Sequence, residues 1–288
     1  MAKLIIDSPG KVNLYLNVLG LRPDGYHRIQ TIFRTIDLKD EIELEETGSG
    51  ISLDSDSDLV PKDKTNLAWL AAETLIDKCR IKAGIKIFIK KNIPVAAGLG
   101  GGSSNAASVL LGLNQLWDLG LSKDELAEIG CGLGADVPFF VKEYILALAT
   151  GIGEELVPLD SSQDIKFILV NPGIEVSTPG VYKQWDELSL SQSGLSRAET
   201  DIKDIIKKLE SGQIENIETF LYNSLEPAAL SLHPVINQVK QSLTDSGLGL
   251  NLMSGSGPTV FGILRDGKEG ATLGKKVLSC NDWRVYLA

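Results

Sequence analysis

Pro94-Val-Ala-Ala-Gly98-Leu-Gly100-Gly101-Gly102-Ser103-Ser104-Asn105-Ala-Ala107 is the stretch on which the reading of this chain turns. Its four glycines and two serines stand between segments of different periodicity. Upstream, Ile85, Ile87 and Ile89 alternate with Lys86, Phe88 and Lys90, the period of two that suits a strand. Downstream, Ala106, Leu110, Leu113 and Trp117 follow helical spacing. Pro94 stops the strand, and Ser103 or Ser104 is placed to cap the helix. Glycine permits positive φ and lets backbone approach a ligand closely. Free N–H groups at a helix start attract anions. The run therefore reads as a phosphate cradle, with a glycine-rich connection that holds no ligand as the competing reading.

Two common nucleotide loops are excluded. A Walker A loop ends in Gly-Lys-Ser/Thr, and no lysine occurs between Lys91 and Lys123. A dinucleotide fingerprint closes on Gly or Ala. Counted from Gly98 the closing residue is Ser103, and from Gly100 it is Asn105.

The remaining composition bounds the class. A chain of 288 residues, 43% hydrophobic and 23% charged, is long enough for one large or two medium domains. No apolar stretch approaches the ~18 residues of a membrane span. Met-Ala-Lys-Leu-Ile-Ile-Asp7 lacks the apolar region of a signal peptide, so a cytoplasmic protein is expected. Cys79, Cys131 and Cys280 form no paired motif and are expected to be buried thiols; with only His27 and His233 beside them, a zinc site is not expected. The net charge of −10 argues against a nucleic-acid partner. A phosphate site in so acidic a chain must be positive locally, through backbone N–H groups, a helix start and placed lysines.

Residues 3–60 read as strand-rich. Val12, Leu14, Leu16 and Val18 alternate with Lys11, Asn13, Tyr15 and Asn17; Ile42 and Leu44 alternate with glutamates. Pro23-Asp24-Gly25 is a turn signal, and Asp54–Asp58 reads as a solvated loop. A helix is expected over Thr65–Cys79. Ser122-Lys-Asp-Glu125 is a capping box that opens a short helix ending in Gly130 and Gly132. After Gly134-Ala-Asp-Val-Pro138 an apolar stretch through Leu148 looks strand-like. The polar run Asp160–Asp164 marks a domain limit, giving domains 1–160 and 161–288. The second half is expected to hold strands over Lys166–Val170, Thr259–Leu264 and Trp283–Leu287, with helices near 201–211, 214–224, 234–246 and 268–279. Helices mixed with antiparallel strands predict an α+β architecture in each half.

Lys11 and Asn13 share one face of their strand. That face either lines a cleft or is simply solvated. Asp136, between Ala135 and Val137, is expected to be partnered: it caps a turn, pairs with a lysine, or acts on a substrate hydroxyl. Tyr26-His27 after the turn can stack on a base and bond its edge, or lie in solvent. His233 before Pro234 reads as structural, at the start of a helix. Ser254-Gly-Ser-Gly257-Pro258 either meets the first glycine-rich run or makes a tight turn.

Taken together these residues resemble the GHMP kinases, named for the galacto-, homoserine, mevalonate and phosphomevalonate enzymes. Pro94–Ala107 is similar to their phosphate-loop motif, and Gly134-Ala-Asp-Val-Pro138 and Ser254–Gly262 fit the same superfamily. Ser8-Pro-Gly-Lys11-Val-Asn13, followed by Arg22-Pro-Asp24-Gly25-Tyr26-His27, resembles the branch whose acceptor is a cytidine diphosphate-linked sugar alcohol. Gly10 stands where relatives often carry another small residue.

The resemblance implies a ribosomal-S5-like N-terminal domain and a ferredoxin-like C-terminal domain with the active site between them. It implies transfer of the ATP γ-phosphoryl group to the 2-hydroxyl of a methylerythritol moiety, in the non-mevalonate route to isoprenoids. Lys11 and Asp136 would be catalytic, Asp136 as base or orienter and Lys11 paired with it. Asn66 would lie in the adenine pocket. Pro94, Ala96, Ala97, Gly98, Leu99, Gly100, Gly101, Gly102, Ser103 and Ser104 would wrap the phosphates. A Mg2+ ion is expected with ATP, and its ligands are not assigned beyond the hydroxyls of Ser103 and Ser104 as candidates. Asn13, Tyr26, His27, Thr178 and Tyr182 would hold the acceptor, with Tyr26 and Tyr182 on opposite faces of the base. The competing readings are a kinase for another small alcohol, of homoserine or mevalonate type, and a GHMP-fold ligand sensor without activity. The oligomeric state is not legible.

Overall fold

The computed structural model describes residues 2–160, 165–191, 199–211, 220–264, 267–278 and 282–288. In chain order they form β1 (Lys3–Leu21), β2 (His27–Thr47), β3 (Ile51–Ser55), α1 (Leu67–Cys79), β4 (Gly84–Lys90), α2 (Gly101–Leu116), α3 (Lys123–Cys131), α4 (Val137–Val141), β5 (Leu146–Thr150) and β6 (Glu155–Pro158). There follow β7 (Lys166–Asn171), α5 (Thr178–Ser191), α6 (Glu199–Glu210), β8 (Tyr222–Asn223), α7 (Glu226–Leu232), α8 (Val235–Asp245), β9 (Asn251–Met253), β10 (Val260–Leu264), α9 (Gly267–Leu278) and β11 (Arg284–Leu287). No helix among the described residues is long and apolar enough to cross a membrane.

Two compact units are assembled from that order, and both are discontinuous in sequence. One comprises Met1–Gly10, Leu38–Val95 and Gly100–Tyr144; the other comprises Lys11–Asp37, Ala96–Leu99 and Ile145–Ala288. The expected limit at 160/161 falls on residues 161–164, which lie outside the described residues.

In the first unit β4 pairs antiparallel with β2 and parallel with β3. The register sets Ile42 opposite Ile89 and Leu44 opposite Ile87. These four side chains are fully buried, and burial of each contributes about 1.5–3 kcal/mol. Glu41, Glu43 and Glu45 take the other face by the period of two. Helices α1 and α2 pack together through alanine-rich faces, Ala68, Ala71 and Ala72 of one and Ala106 and Ala107 of the other being buried. The capping box opens α3 as the sequence predicts: Ser122 accepts from the Glu125 N–H, and the Glu125 carboxylate accepts from the Ser122 N–H. A cap of this kind stabilises a helix by about 0.5–2 kcal/mol.

The second unit carries a four-stranded antiparallel sheet in the order β11-β7-β10-β9. Its core joins Ile168 and Val170 of β7 to Val181 and Trp185 of α5, Ala228 and Ala229 of α7, Val239 and Leu243 of α8 and Val277 of α9. In the same unit β5 pairs antiparallel with residues 31–34 of β2, and β8 lies parallel to Tyr15–Leu16 of β1. Segregated helices over antiparallel strands make the architecture α+β.

Several expectations are corrected. Residues 137–141 form the short helix α4, and the strand begins only at Leu146. Proline is tolerated in a first helical turn because its missing N–H would have no intrahelical partner there, and Pro138 occupies that turn. Helix α1 starts at Leu67, with Asn66 as N-cap; Thr65 instead bonds the Asp63 carboxylate. Asp54 and Ser55 end β3 and are not loop. The helix expected near 214–224 falls largely on residues 212–219, outside the described residues, and Tyr222–Asn223 is strand. Helix α5 carried no expectation. Cys79 is half-buried and Cys131 exposed, neither of them in a disulfide; Cys280 lies outside the described residues.

Candidate active site

The phosphate-loop run is shaped by left-handed backbone. Ala96, Gly98 and Gly100 have φ of 52°, 75° and 69°. At Gly98 a Cβ would lie 2.2 Å from the Ser254 carbonyl oxygen, so both the angle and the space demand glycine. The Ser254 hydroxyl donates to the Gly98 carbonyl at 2.9 Å, and the Thr259 N–H donates to that of Ala97 at 3.4 Å. Two glycine-rich runs distant in sequence therefore meet within the second unit, one of the two outcomes open to the sequence. Asn223 donates to the carbonyls of Met253 and Gly255, at 2.8 and 2.7 Å, and fixes the second run. The Lys11 N–H donates to the Leu99 carbonyl at 2.9 Å.

Helix α2 begins at Gly101, two residues before the expected serine cap. Its N-cap is Gly100, which makes no side-chain cap, and its first turn holds no acidic residue. The opening N–H groups of a helix have no intrahelical partner and carry the positive end of the dipole. An uncapped start without a nearby carboxylate suits an anion. The two loop serines divide: Ser104 is buried with its hydroxyl 2.8 Å from that of Ser8, whereas Ser103 is half-buried. A Cβ on Gly134 would come within 3.8 Å of the Ser103 hydroxyl. The turn that carries Asp136 thus lies beside the start of α2, within the first unit. Asp136 is half-buried at the N-cap position of α4, and its carboxylate makes no capping bond. Asn66 sits close by in sequence to Leu67, whose side chain is 3.9 Å from a Cβ placed on Gly102. The Asn66 amide caps α1 through the Ala68 N–H at 2.9 Å and donates to the Pro61 carbonyl at 2.7 Å.

In the second unit the Lys11/Asn13 face of β1 is not solvated. Lys11 is 4% and Asn13 1% exposed. The Lys11 ammonium donates to the Asn13 Oδ1 at 2.8 Å, the Asn13 amide donates to the Thr31 hydroxyl at 2.8 Å, and Thr31 donates to the Tyr15 carbonyl at 2.6 Å. The chain of bonds fixes the Asn13 amide with its oxygen toward the ammonium. The Lys11 ammonium also stands 4.8 Å from the centre of the Phe33 ring.

His27 opens β2 with its side chain 9% exposed, so it is not a solvated turn histidine. Its Nε2 lies 2.8 Å from Asp186 Oδ1. Tyr182 stacks on the imidazole with ring centroids 4.8 Å apart, and Trp185 meets it edge-on at 5.8 Å. Spacings of three and four residues put Tyr182, Trp185 and Asp186 on one face of α5. Thr178 opens the same helix, its hydroxyl 2.8 Å from that of Ser256 in the second glycine-rich run. Tyr26 is 62% exposed beside this cluster in sequence. Asp186 escaped sequence reasoning, although a carboxylate four residues after Tyr182 was the available signal. His233 closes α7, its N–H donating to the Ala229 carbonyl at 2.8 Å, in keeping with a structural role.

The comparisons with known proteins follow the same lines. The description "GHMP kinases N terminal domain" matches residues 66–143, and "GHMP kinases C terminal" matches residues 205–280. The chain is 44% identical over 287 residues to a 4-diphosphocytidyl-2-C-methyl-D-erythritol kinase of Geobacter metallireducens, covering 99% of this chain and 98% of the relative. It is 42% identical over 284 residues to one of Clostridioides difficile, covering 98% and 93%. Among solved structures, a 4-(cytidine 5'-diphospho)-2C-methyl-D-erythritol kinase superposes with a TM-score of 0.82 at 32% identity, over 99% of this chain and 98% of that one. A homoserine kinase from Cytophaga hutchinsonii shares the fold alone, with a TM-score of 0.73 at 18% identity over 100% of this chain and 95% of that one. Over nearly its whole length this chain belongs to the 4-diphosphocytidyl-2-C-methyl-D-erythritol kinase family of the GHMP kinases.

Proposed function

We propose that the protein transfers the γ-phosphoryl group of ATP to the 2-hydroxyl of 4-diphosphocytidyl-2-C-methyl-D-erythritol, in the cytoplasm. The observation that carries the reading is the turn of Asp136 held against Ser103 at the uncapped start of α2. A turn that carries a carboxylate, set beside an anion-binding helix start, supplies the two parts that phosphoryl transfer to an alcohol requires.

In this reading Ala96–Ser103 cradle the ATP phosphates with backbone N–H groups, and the region around Asn66 receives the adenine. Asp136 orients the acceptor hydroxyl and takes its proton as the hydroxyl oxygen bonds to the γ-phosphorus. The bond from that phosphorus to the β–γ bridging oxygen breaks, and ADP leaves with the electron pair. Lys11, held by Asn13, stabilises the negative charge that develops. The half-buried Ser103 hydroxyl and the absence of a carboxylate in the first turn fit a Mg2+ ion held chiefly by the nucleotide's own oxygens. When bound, that ion would neutralise phosphate charge.

His27 reads an edge of the cytosine while Tyr26 offers a stacking face. The test is ATP-dependent phosphorylation of the cytidyl substrate, with homoserine and mevalonate as parallel acceptors and one added phosphate read by mass spectrometry. Turnover of the cytidyl substrate alone is expected. Turnover of another acceptor would discard the base-reading role of His27 and Tyr26. ATP binding without any turnover would favour a ligand sensor.

A further inference from the structure

Asp40, fully buried on β2 in the first unit, is absent from the mechanism above. Its two carboxylate oxygens meet four donors. Oδ1 accepts the backbone N–H groups of Asn92 at 2.7 Å and Ile93 at 2.8 Å. Oδ2 accepts the Lys91 ammonium at 2.5 Å and the Asn105 amide at 2.9 Å. Lys91, Asn92 and Ile93 are where the chain leaves β4 for the phosphate loop, and Asn105 lies in the helix that leaves the loop. One carboxylate thus holds both ends of the run. The same Asn105 amide reaches Ser8 at 2.9 Å, and Ser8 reaches Ser104 at 2.8 Å; all three are buried.

Charge explains why an acid is needed. A Cβ on Gly101 would stand 3.1 Å from the Lys91 ammonium, so that cation lies beside the first residue of α2. A cation at the positive end of a helix dipole is unfavourable on its own, and a buried unpaired ammonium more so. Asp40 offsets both. The ion pair is neutral as a whole, with its positive end toward the helix start that is to receive phosphate. This supplies local positive character to the site of a chain that carries a net charge of −10.

We infer that Asp40 is the positioning residue of the phosphate loop: its buried carboxylate clamps the chain entering the loop to the helix leaving it and orients the Lys91 ammonium at that helix start. This rests on the reading of the loop as the ATP site. Asp40→Asn keeps the shape and the two backbone contacts but turns a donor toward Lys91 and Asn105.

The test compares the wild type with Asp40→Asn, Asn105→Ala and the swap Asp40→Asn/Asn105→Asp. The readouts are thermal midpoint, calorimetric binding of a non-hydrolysable ATP analogue, and KM for each substrate. Asp40→Asn is expected to weaken analogue binding and raise KM for ATP about 10-fold, with KM for the cytidyl acceptor within about twofold. Asn105→Ala, which removes only the helix arm, is expected to act in the same direction by about threefold and stands in if Asp40→Asn does not fold. The swap gives the amide at position 40 a carboxylate acceptor at position 105 while leaving a donor toward Lys91, and is expected to recover the helix arm's share of the lost affinity, about threefold. A fall in thermal midpoint with unchanged analogue affinity, or an equal rise in both KM values, would overturn the clamp. A wild type that does not bind the analogue would overturn the reading of the loop itself.

Discussion

The ring of Tyr182 lies stacked on the imidazole of His27, their centroids 4.8 Å apart and their planes 29° from parallel. The resemblance implies that Tyr182 lies on the far face of a substrate base; its ring here packs on the histidine. Asp186, one turn further along α5, holds the Nε2 of the same ring at 2.8 Å. An ionised carboxylate only accepts, so Nε2 carries the proton and Nδ1 is the nitrogen whose role depends on charge. Helix α5 therefore sets both the plane and the tautomer of the group proposed to read cytosine. Asp186→Ala is expected to raise KM for the cytidyl substrate about 3- to 10-fold with kcat and KM for ATP little changed. Tyr26→Ala, which removes only a stacking face worth ~1–3 kcal/mol, is expected to raise the same KM about 5- to 150-fold. Steady-state kinetics with each substrate varied in turn decides; a rise in KM for ATP instead would place this cluster outside the acceptor site.

Asp136 tests the other end of the reaction. Its carboxylate makes no capping bond to α4, so removing its charge leaves that helix start as it is. Asp136→Asn is expected to lower kcat by about 10²- to 10⁴-fold, the usual contribution of a positioned acid–base group, with KM for either substrate changing far less. A variant with near-normal kcat and an intact far-UV spectrum would remove Asp136 from the chemistry.

Much of this was legible because local pattern and tertiary demand agree. The isoleucine alternation of β4, the capping box of α3 and the turn at Pro23–Gly25 each carry their own geometry. Val137–Val141 did not, since an apolar run of that length has no period to separate helix from strand. The burial of Lys11 and Asn13 was open for a different reason. Alternation reports which residues share a face of a strand, and says nothing of what covers the second face. Asp40 left a signal that was not used: it stands in register with Leu38, Ile42 and Leu44, on the face the core claims. A carboxylate on a core face must have partners, and here those partners are the ends of the phosphate loop.

Gly98→Ala separates backbone shape from chemistry. At φ 75° an alanine is strained, and its Cβ would meet the Ser254 carbonyl oxygen at 2.2 Å. The strain alone costs about 1–3 kcal/mol, so the contact between the glycine-rich runs must open. A fall in thermal midpoint of about 2–4 °C per kcal/mol is expected, together with weaker binding of the ATP analogue. Circular dichroism melts and calorimetry read the two effects separately. Loss of stability with full ATP affinity would show that the loop tolerates a different shape.

Lys91 gives the pH dependence of stability a direction. Burial, outweighing the neighbouring Asp40, holds its pKa below the ordinary 10.5. Between that lowered value and 10.5 the unfolded chain binds more protons at this site than the folded chain. Stability from this group therefore rises as pH is raised through the window and is lost on going down through it. Lys91→Met has no such titration. The difference in unfolding free energy between wild type and Lys91→Met is expected to widen as pH is raised from neutrality toward 10.5, measured by urea denaturation at fixed ionic strength. A constant difference over that range would mean that Lys91 keeps an ordinary lysine pKa in the folded protein, and a narrowing one that the Asp40 carboxylate outweighs burial and raises it.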